Sequence, residues 1–101
     1  MDEAAPSMRL DRFLWFARLT KSRSYAQQLA EGGHLRIDRR RIERSAAPVR
    51  VGNVLAFLDH QREVRVVRVE ALPTRRGPPA EARSCYTDLK NENVSQKEPI
   101  D

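Results

Sequence analysis

The chain contains a single cysteine, Cys85, in 101 residues. One thiol cannot build a disulfide framework or a cysteine-rich zinc site, and it fits a reducing compartment. No run of about 18 apolar residues is present, so no helical membrane span is expected. The N-terminal stretch MDEAAPSM is acidic and lacks the basic start and apolar run of a secretory signal. These absences predict a cytoplasmic protein with no membrane partner. Also missing are a glycine-rich phosphate loop, metal-ligand spacing and a nucleophile beside a plausible base. His34 and His60 stand far apart without companions, so neither is read as a ligand. No catalytic residue, metal or cofactor is expected. Cys85 reads as a packed or idle thiol. The length leaves room for one small domain with a modest core.

Positive charge is what the chain has in excess, and it is unevenly placed. The pI is about 10.1. Residues 9–44 hold ten of the nineteen Lys and Arg against four acids, a net +6, while residues 1–8 carry −2 and residues 45–101 carry +1. A folded stretch of one sign reads as a docking surface for a polyanion. A solvated basic face with no partner is the bland alternative.

That stretch also carries helical and strand periodicity. Leu10, Phe13, Leu14 and Ala17 recur on one helical stripe, with Asp11 placed to complement the helix dipole. Trp15 is expected to be partly buried, while Arg9, Arg12 and Arg18 supply charge. Ser22 is a good N-cap for a second helix, which buries Tyr25, Ala26, Leu29 and Ala30 and stops at Gly32-Gly33. Lys21 and Arg23 flank the N-terminus of that helix. Cations there oppose the macrodipole and gain nothing for folding alone. A phosphate reverses the sign, because free N–H groups, the Ser22 hydroxyl, Lys21 and Arg23 then converge on one anion.

Residues 34–37 alternate polar and apolar as a half-buried strand. A turn at Asp38-Arg39-Arg40 leads to a second alternating segment. Leu35, Ile37 and Ile42 face the core, leaving Arg36, Arg39, Arg40, Arg41 and Arg44 outside. Arginine in place of lysine favours bidentate phosphate contacts. Val49, Val51, Val54, Leu55 and Phe57 continue as strand material around Gly52-Asn53, and residues 64–69 form the last strand. The apolar phase slips between Val66 and Val67, predicting a bulge or a strand buried on both faces. A Pro/Gly-rich connector from Pro73 leads to a short helix over 80–89 that carries Cys85 and Tyr86. Residues 1–7 and 90–101 read as a disordered lead and tail.

The ordered set Arg9-Leu10-Asp11, Lys21-Ser22-Arg23, Ala26, Gly32, Leu35 and Ile37 resembles the S-four (αL) RNA-binding domain over residues 9–58. The fuller run from Met8 to Arg18, with residues 65–69, 75–78 and 86–89, is similar to one branch of it. That branch is the bacterial ribosome-associated heat-shock protein fifteen family. The resemblance implies an α+β fold in which two N-terminal helices pack on a small, mostly antiparallel sheet, with a short C-terminal helical extension. The RNA-binding domain then spans residues 8–72, and the connector and C-terminal helix span 73–89.

The resemblance implies RNA contacts at Arg9, Arg12, Lys21, Ser22, Arg23, Gln27, His34 and Arg36, with Arg39, Arg40 and Arg41 at the hairpin tip. It also implies a noncatalytic protein that binds structured RNA, namely ribosomal RNA of the large subunit carrying a nascent chain on tRNA. A monomer with incidental DNA binding completes the expectation. Two departures from the family pattern concern turns: Asp38-Arg39 replaces the usual Asn-Gly, leaving the tight turn without its best residue, and Gly52-Asn53 replaces Gly-Asp. A third is the tail, where Lys90 to Asp101 sums to −1 instead of being strongly basic. The competing readings are a DNA-binding regulator, which needs a helix presenting several polar side chains to a groove, and an RNA-modifying enzyme, for which the chain has no catalytic domain.

Overall fold

A computed structural model describes residues 5–89 of the chain. The disordered tail expected over 90–101 and the first four residues of the lead lie outside the described residues. The chain runs β1 (Met8–Arg9), α1 (Leu10–Phe16), α2 (Arg23–Glu31), β2 (Leu35–Ile37), β3 (Arg40–Ile42), β4 (Pro48–Val49), β5 (Val54–Leu58), β6 (Val64–Val69), α3 (Pro79–Arg83) and β7 (Tyr86–Asp88). Strands β3-β2-β5-β6-β7 form one sheet in that order, and β1 pairs separately with β4. Every ladder is antiparallel. This is the α+β arrangement that the resemblance implies.

The period of each segment decides its buried side. The stripe Leu10, Phe13, Leu14 and Ala17 is buried, as are Ala26, Leu29 and Ala30 of α2. Alternation in the strands places Leu35, Ile37, Leu55, Phe57, Val67 and Val69 on the inner face of the sheet, in the same cluster. Burying each large apolar side chain contributes about 1.5–3 kcal/mol. Helix α1 stops where Arg18 takes φ 59°, and the N–H groups of Leu19 and Thr20 both turn back to the Leu14 carbonyl, at 2.9 and 3.2 Å. Ser22 is extended and its Oγ accepts from Tyr25 N at 3.1 Å, the expected cap of α2.

Two expectations fail. Strand β6 has no bulge: Val54↔Arg68 through Leu58↔Val64 pair in unbroken register. The phase slip arises because Val64 is exposed and Val66 half-buried on the outer face. The helix expected over 80–89 ends at Arg83, and Tyr86 lies in β7, paired with Val69. The free backbone groups on the edge of β6 must find partners, and a Tyr-Thr-Asp run suits an extended strand. Local helix propensity therefore yields after one turn.

The tip of the β2–β3 hairpin keeps its tight turn in spite of its residues. Asp38 and Arg39 sit at φ 51° and 75°, both positive as a type I′ turn requires. Asp38 is held by its own carboxylate, which accepts from Val54 N and from Asn53 Nδ2, each at 2.8 Å. Asn53 Oδ1 in turn accepts from Arg50 N at 2.7 Å. The two departures noted above are thus coupled: the acid at 38 and the amide at 53 bond to each other. Arg39 has no such anchor for its positive φ. Arg39→Gly is expected to stabilise the fold by about 1 kcal/mol, measured as a rise in the urea midpoint at unchanged slope.

Candidate nucleic-acid interface

The exposed cations fall into three groups around α1, α2 and the hairpin. The first surrounds the N-terminus of α2, where Lys21, Ser22, Arg23 and Ser24 are all exposed. The leading N–H groups of a helix have no intrahelical acceptor, so they remain available beside the Ser22 hydroxyl. The Arg23 guanidinium also lies 5.7 Å from the centre of the half-buried Trp15 ring.

Sequence reasoning missed a member of this group. Arg76 lies 5.2 Å over the same Trp15 ring and donates from Nε to the Trp15 carbonyl at 3.1 Å. Arg18 Nε reciprocates, donating to the Gly77 carbonyl at 2.6 Å. These bonds dock the connector on the C-terminal end of α1, where the dipole attracts cations. The Arg75-Arg76 pair is visible in the sequence, but its separation of 61 residues from Trp15 leaves no periodic signal.

The second group is tied to a buried acid. Asp11 is 1% exposed and accepts from Arg9 Nε at 3.0 Å and Arg9 Nη2 at 2.9 Å, with Gln27 Nε2 at 3.5 Å. Burial pushes the Asp11 carboxyl up, but the Arg9 hydrogen bonds and charge, with help from Gln27 and a backbone N–H, hold it below its ordinary value. Arg9 and Gln27 are therefore partly committed to structure, whereas the neighbouring Arg12 is exposed. The side chains of Arg12, Lys21 and His34 make no hydrogen bond or ion pair among the described residues.

The third group is the hairpin. Arg36 and Arg41 face each other in register, and both are exposed. Like charges directly opposite destabilise a sheet, so folding does not account for them. Arg36 Nη1 reaches the Arg39 carbonyl at 3.4 Å, and Arg41 has only an exposed Glu43 at 3.4 Å. Arg40 pairs with Ile37 and so points to the opposite face from Arg36 and Arg41. His34 instead lines an open groove of about 390 Å³ with Tyr25, Gln28, Leu58 and Arg62, where Tyr25 stacks on His60 at 4.4 Å.

This surface offers charge and hydrogen-bond donors for an anion. Cys85 is buried, and burial with the nearby Glu81 pushes its thiol up, away from the reactive thiolate. No group of three or more metal-ligating side chains occurs among the described residues.

Comparison with known proteins agrees with this geometry. A family model described as S4 domain matches residues 8–55. Heat shock protein 15 of Escherichia coli (strain K12) is 31% identical over 98% of this chain and 72% of its own length. The heat shock protein 15 homolog of Haemophilus influenzae is 32% identical over 96% of this chain and 72% of its own length. The trimeric structure of Vibrio cholerae heat shock protein 15 shares the fold, with a TM-score of 0.75 at 24% identity over 95% of this chain and 100% of that one.

Proposed function

The chain belongs to the heat shock protein 15 family and carries an S4 domain, and from that premise we propose that it docks on ribosomal RNA of the large subunit. It is a noncatalytic RNA-binding protein. The observation that carries the reading is the α2 N-terminus, where Lys21, Ser22 and Arg23 surround free backbone N–H groups and the cations oppose the helix dipole. One backbone phosphate sits there, and Arg36 with Arg41 takes another on the hairpin. Neutralisation of phosphates supplies most of the affinity, and the spacing of the two sites selects folded RNA by shape. Arg9, Arg12, Gln27 and His34 extend the contact along α1 and the mouth of the hairpin. The target in the cytoplasm is a large subunit that still carries a nascent chain on tRNA, approached by a monomer. DNA is bound incidentally through the same charges.

With about six phosphates contacted, affinity should fall roughly a thousandfold between 50 and 200 mM salt, as read by fluorescence anisotropy. Sedimentation of the tagged protein through a sucrose gradient of bacterial lysate tests the target. The expected result is co-migration with free large subunits, enriched when translation is aborted and reduced at high salt. Migration only at the top of the gradient, while purified protein still binds RNA, rejects the ribosomal target.

A further inference from the structure

A groove of about 630 Å³ lies on the far side of the hairpin from Arg36 and Arg41. Arg40, Arg44 and Arg50 line it over an apolar floor that includes Ile37, Ile42 and Pro48. None of the three guanidinium groups has a hydrogen bond or ion pair among the described residues. Asp38 is the only acid among the described residues that lines the groove, and its two oxygens accept from Val54 N and Asn53 Nδ2. Arg50 is the informative member, because its Nε is buried and has no hydrogen-bond partner among the described residues. Native structures rarely leave such a donor unmatched, and the unmatched state is costly. Three guanidinium groups around one groove repel each other. An anion with several oxygens in the groove relieves both penalties, and the guanidinium fork matches a phosphate.

We propose that this groove holds a second backbone strand of the bound RNA through one of its phosphates, so that the β2–β3 hairpin is straddled by two phosphodiester strands. The inference rests on the RNA-binding reading and adds a site to it. Arg36 and Arg41 hold one strand on the outer face of the hairpin, while Arg40, Arg44 and Arg50 hold the other beneath it. Alternation along β3 distributes the arginines in this way, since Arg40 and Arg41 necessarily point to opposite faces. A protein that grips both sides of a hairpin selects two closely spaced strands, as in a helical or folded RNA, over a single extended one.

The Arg50 Nε–H resonance of 15N-labelled protein, identified by its absence from the R50Q spectrum, reports on the groove directly. Titration with inorganic phosphate, and separately with purified large-subunit ribosomal RNA, is expected to shift that resonance. R44Q/R50Q is expected to bind the RNA at least about tenfold more weakly at 0.1 M salt, with a salt slope smaller by about 1. R44Q alone, at an exposed position that leaves the core untouched, should show about half of that slope change. An unmoved resonance, with R44Q/R50Q binding RNA as tightly as wild type, overturns the proposal. A resonance moved by inorganic phosphate but not by RNA also overturns it, in favour of a free-phosphate site. Failure of the wild-type protein to bind RNA at all overturns the underlying reading as well, and is recognised by the equal behaviour of wild type and variants.

Discussion

Lys21→Glu combined with Arg23→Glu is expected to weaken RNA binding by at least about 100-fold at 0.1 M salt, while leaving the fold intact. The two substitutions remove the contacts to that one phosphate, which lowers the salt slope by about 1, and place two negative charges where it should sit. The same change is mild for folding. Acidic groups at a helix N-terminus contribute roughly 0.3–1 kcal/mol each, which offsets the loss of the Arg23 contact with Trp15, about 0.5–1 kcal/mol at an exposed site. Ser22 keeps its cap bond to Tyr25 N. Function and stability therefore separate, which few sites in a small domain permit. Fluorescence anisotropy with structured RNA and thermal melting by circular dichroism measure the two sides. A folded double mutant with wild-type affinity would falsify the phosphate site at this helix.

Asp11→Ala should behave in the opposite way, costing about 3 kcal/mol of stability and lowering Tm by roughly 15 °C. Asp11 is buried at the start of α1, and its carboxylate orders Arg9 and Gln27 at once. Removing it releases both side chains from the helix pair, so RNA affinity should also fall, through lost positioning. The depressed carboxyl also predicts an acid limit. Its folded value lies below the unfolded one, so its stabilising contribution is complete above about pH 4. That contribution disappears as pH falls through the lower folded value. Urea midpoints measured from pH 6 downward should therefore drop more steeply for wild type than for Asp11→Ala. Parallel curves would remove Asp11 from the account of acid unfolding.

The helix pair was legible in the sequence because its evidence is local. A 3.6-residue period marks the stripe Leu10, Phe13, Leu14 and Ala17. Ser22 and Gly32-Gly33 bound α2, and each signal acts within a few residues of itself. The same holds for the clustering of charge between Arg9 and Arg44, and for the oddity of cations at a helix N-terminus. Placing Arg36 and Arg41 on the outer face of the hairpin likewise required only strand alternation.

What escaped that reading depends on partners distant in the chain. Residues 80–89 were expected to be helical from Pro79 onward, and the open edge of β6 turned their second half into β7. The slip at Val66-Val67 suggested a bulge or a strand buried on both faces, because a sequence cannot show that Val64 and Val66 lie on the outer face of the sheet. The Asp38-Arg39 turn left the hairpin tip without its usual residues, until Asn53, fifteen residues on, proved to hold Asp38 in place. Arg9 and Gln27 read as free contacts and proved to be bound to Asp11.

The sequence by itself determined the amphipathic helices, the caps and the polyanion-seeking charge, since periodicity and propensity act between near neighbours. Only the tertiary structure decided which arginines are committed to the protein and which remain unmatched. A guanidinium's fate depends on whatever acceptor the folded chain brings within about 3 Å, and no local pattern records that distance. Arg76 was brought to Trp15 and Arg9 to Asp11, while Arg50 was left with a buried donor and no acceptor among the described residues.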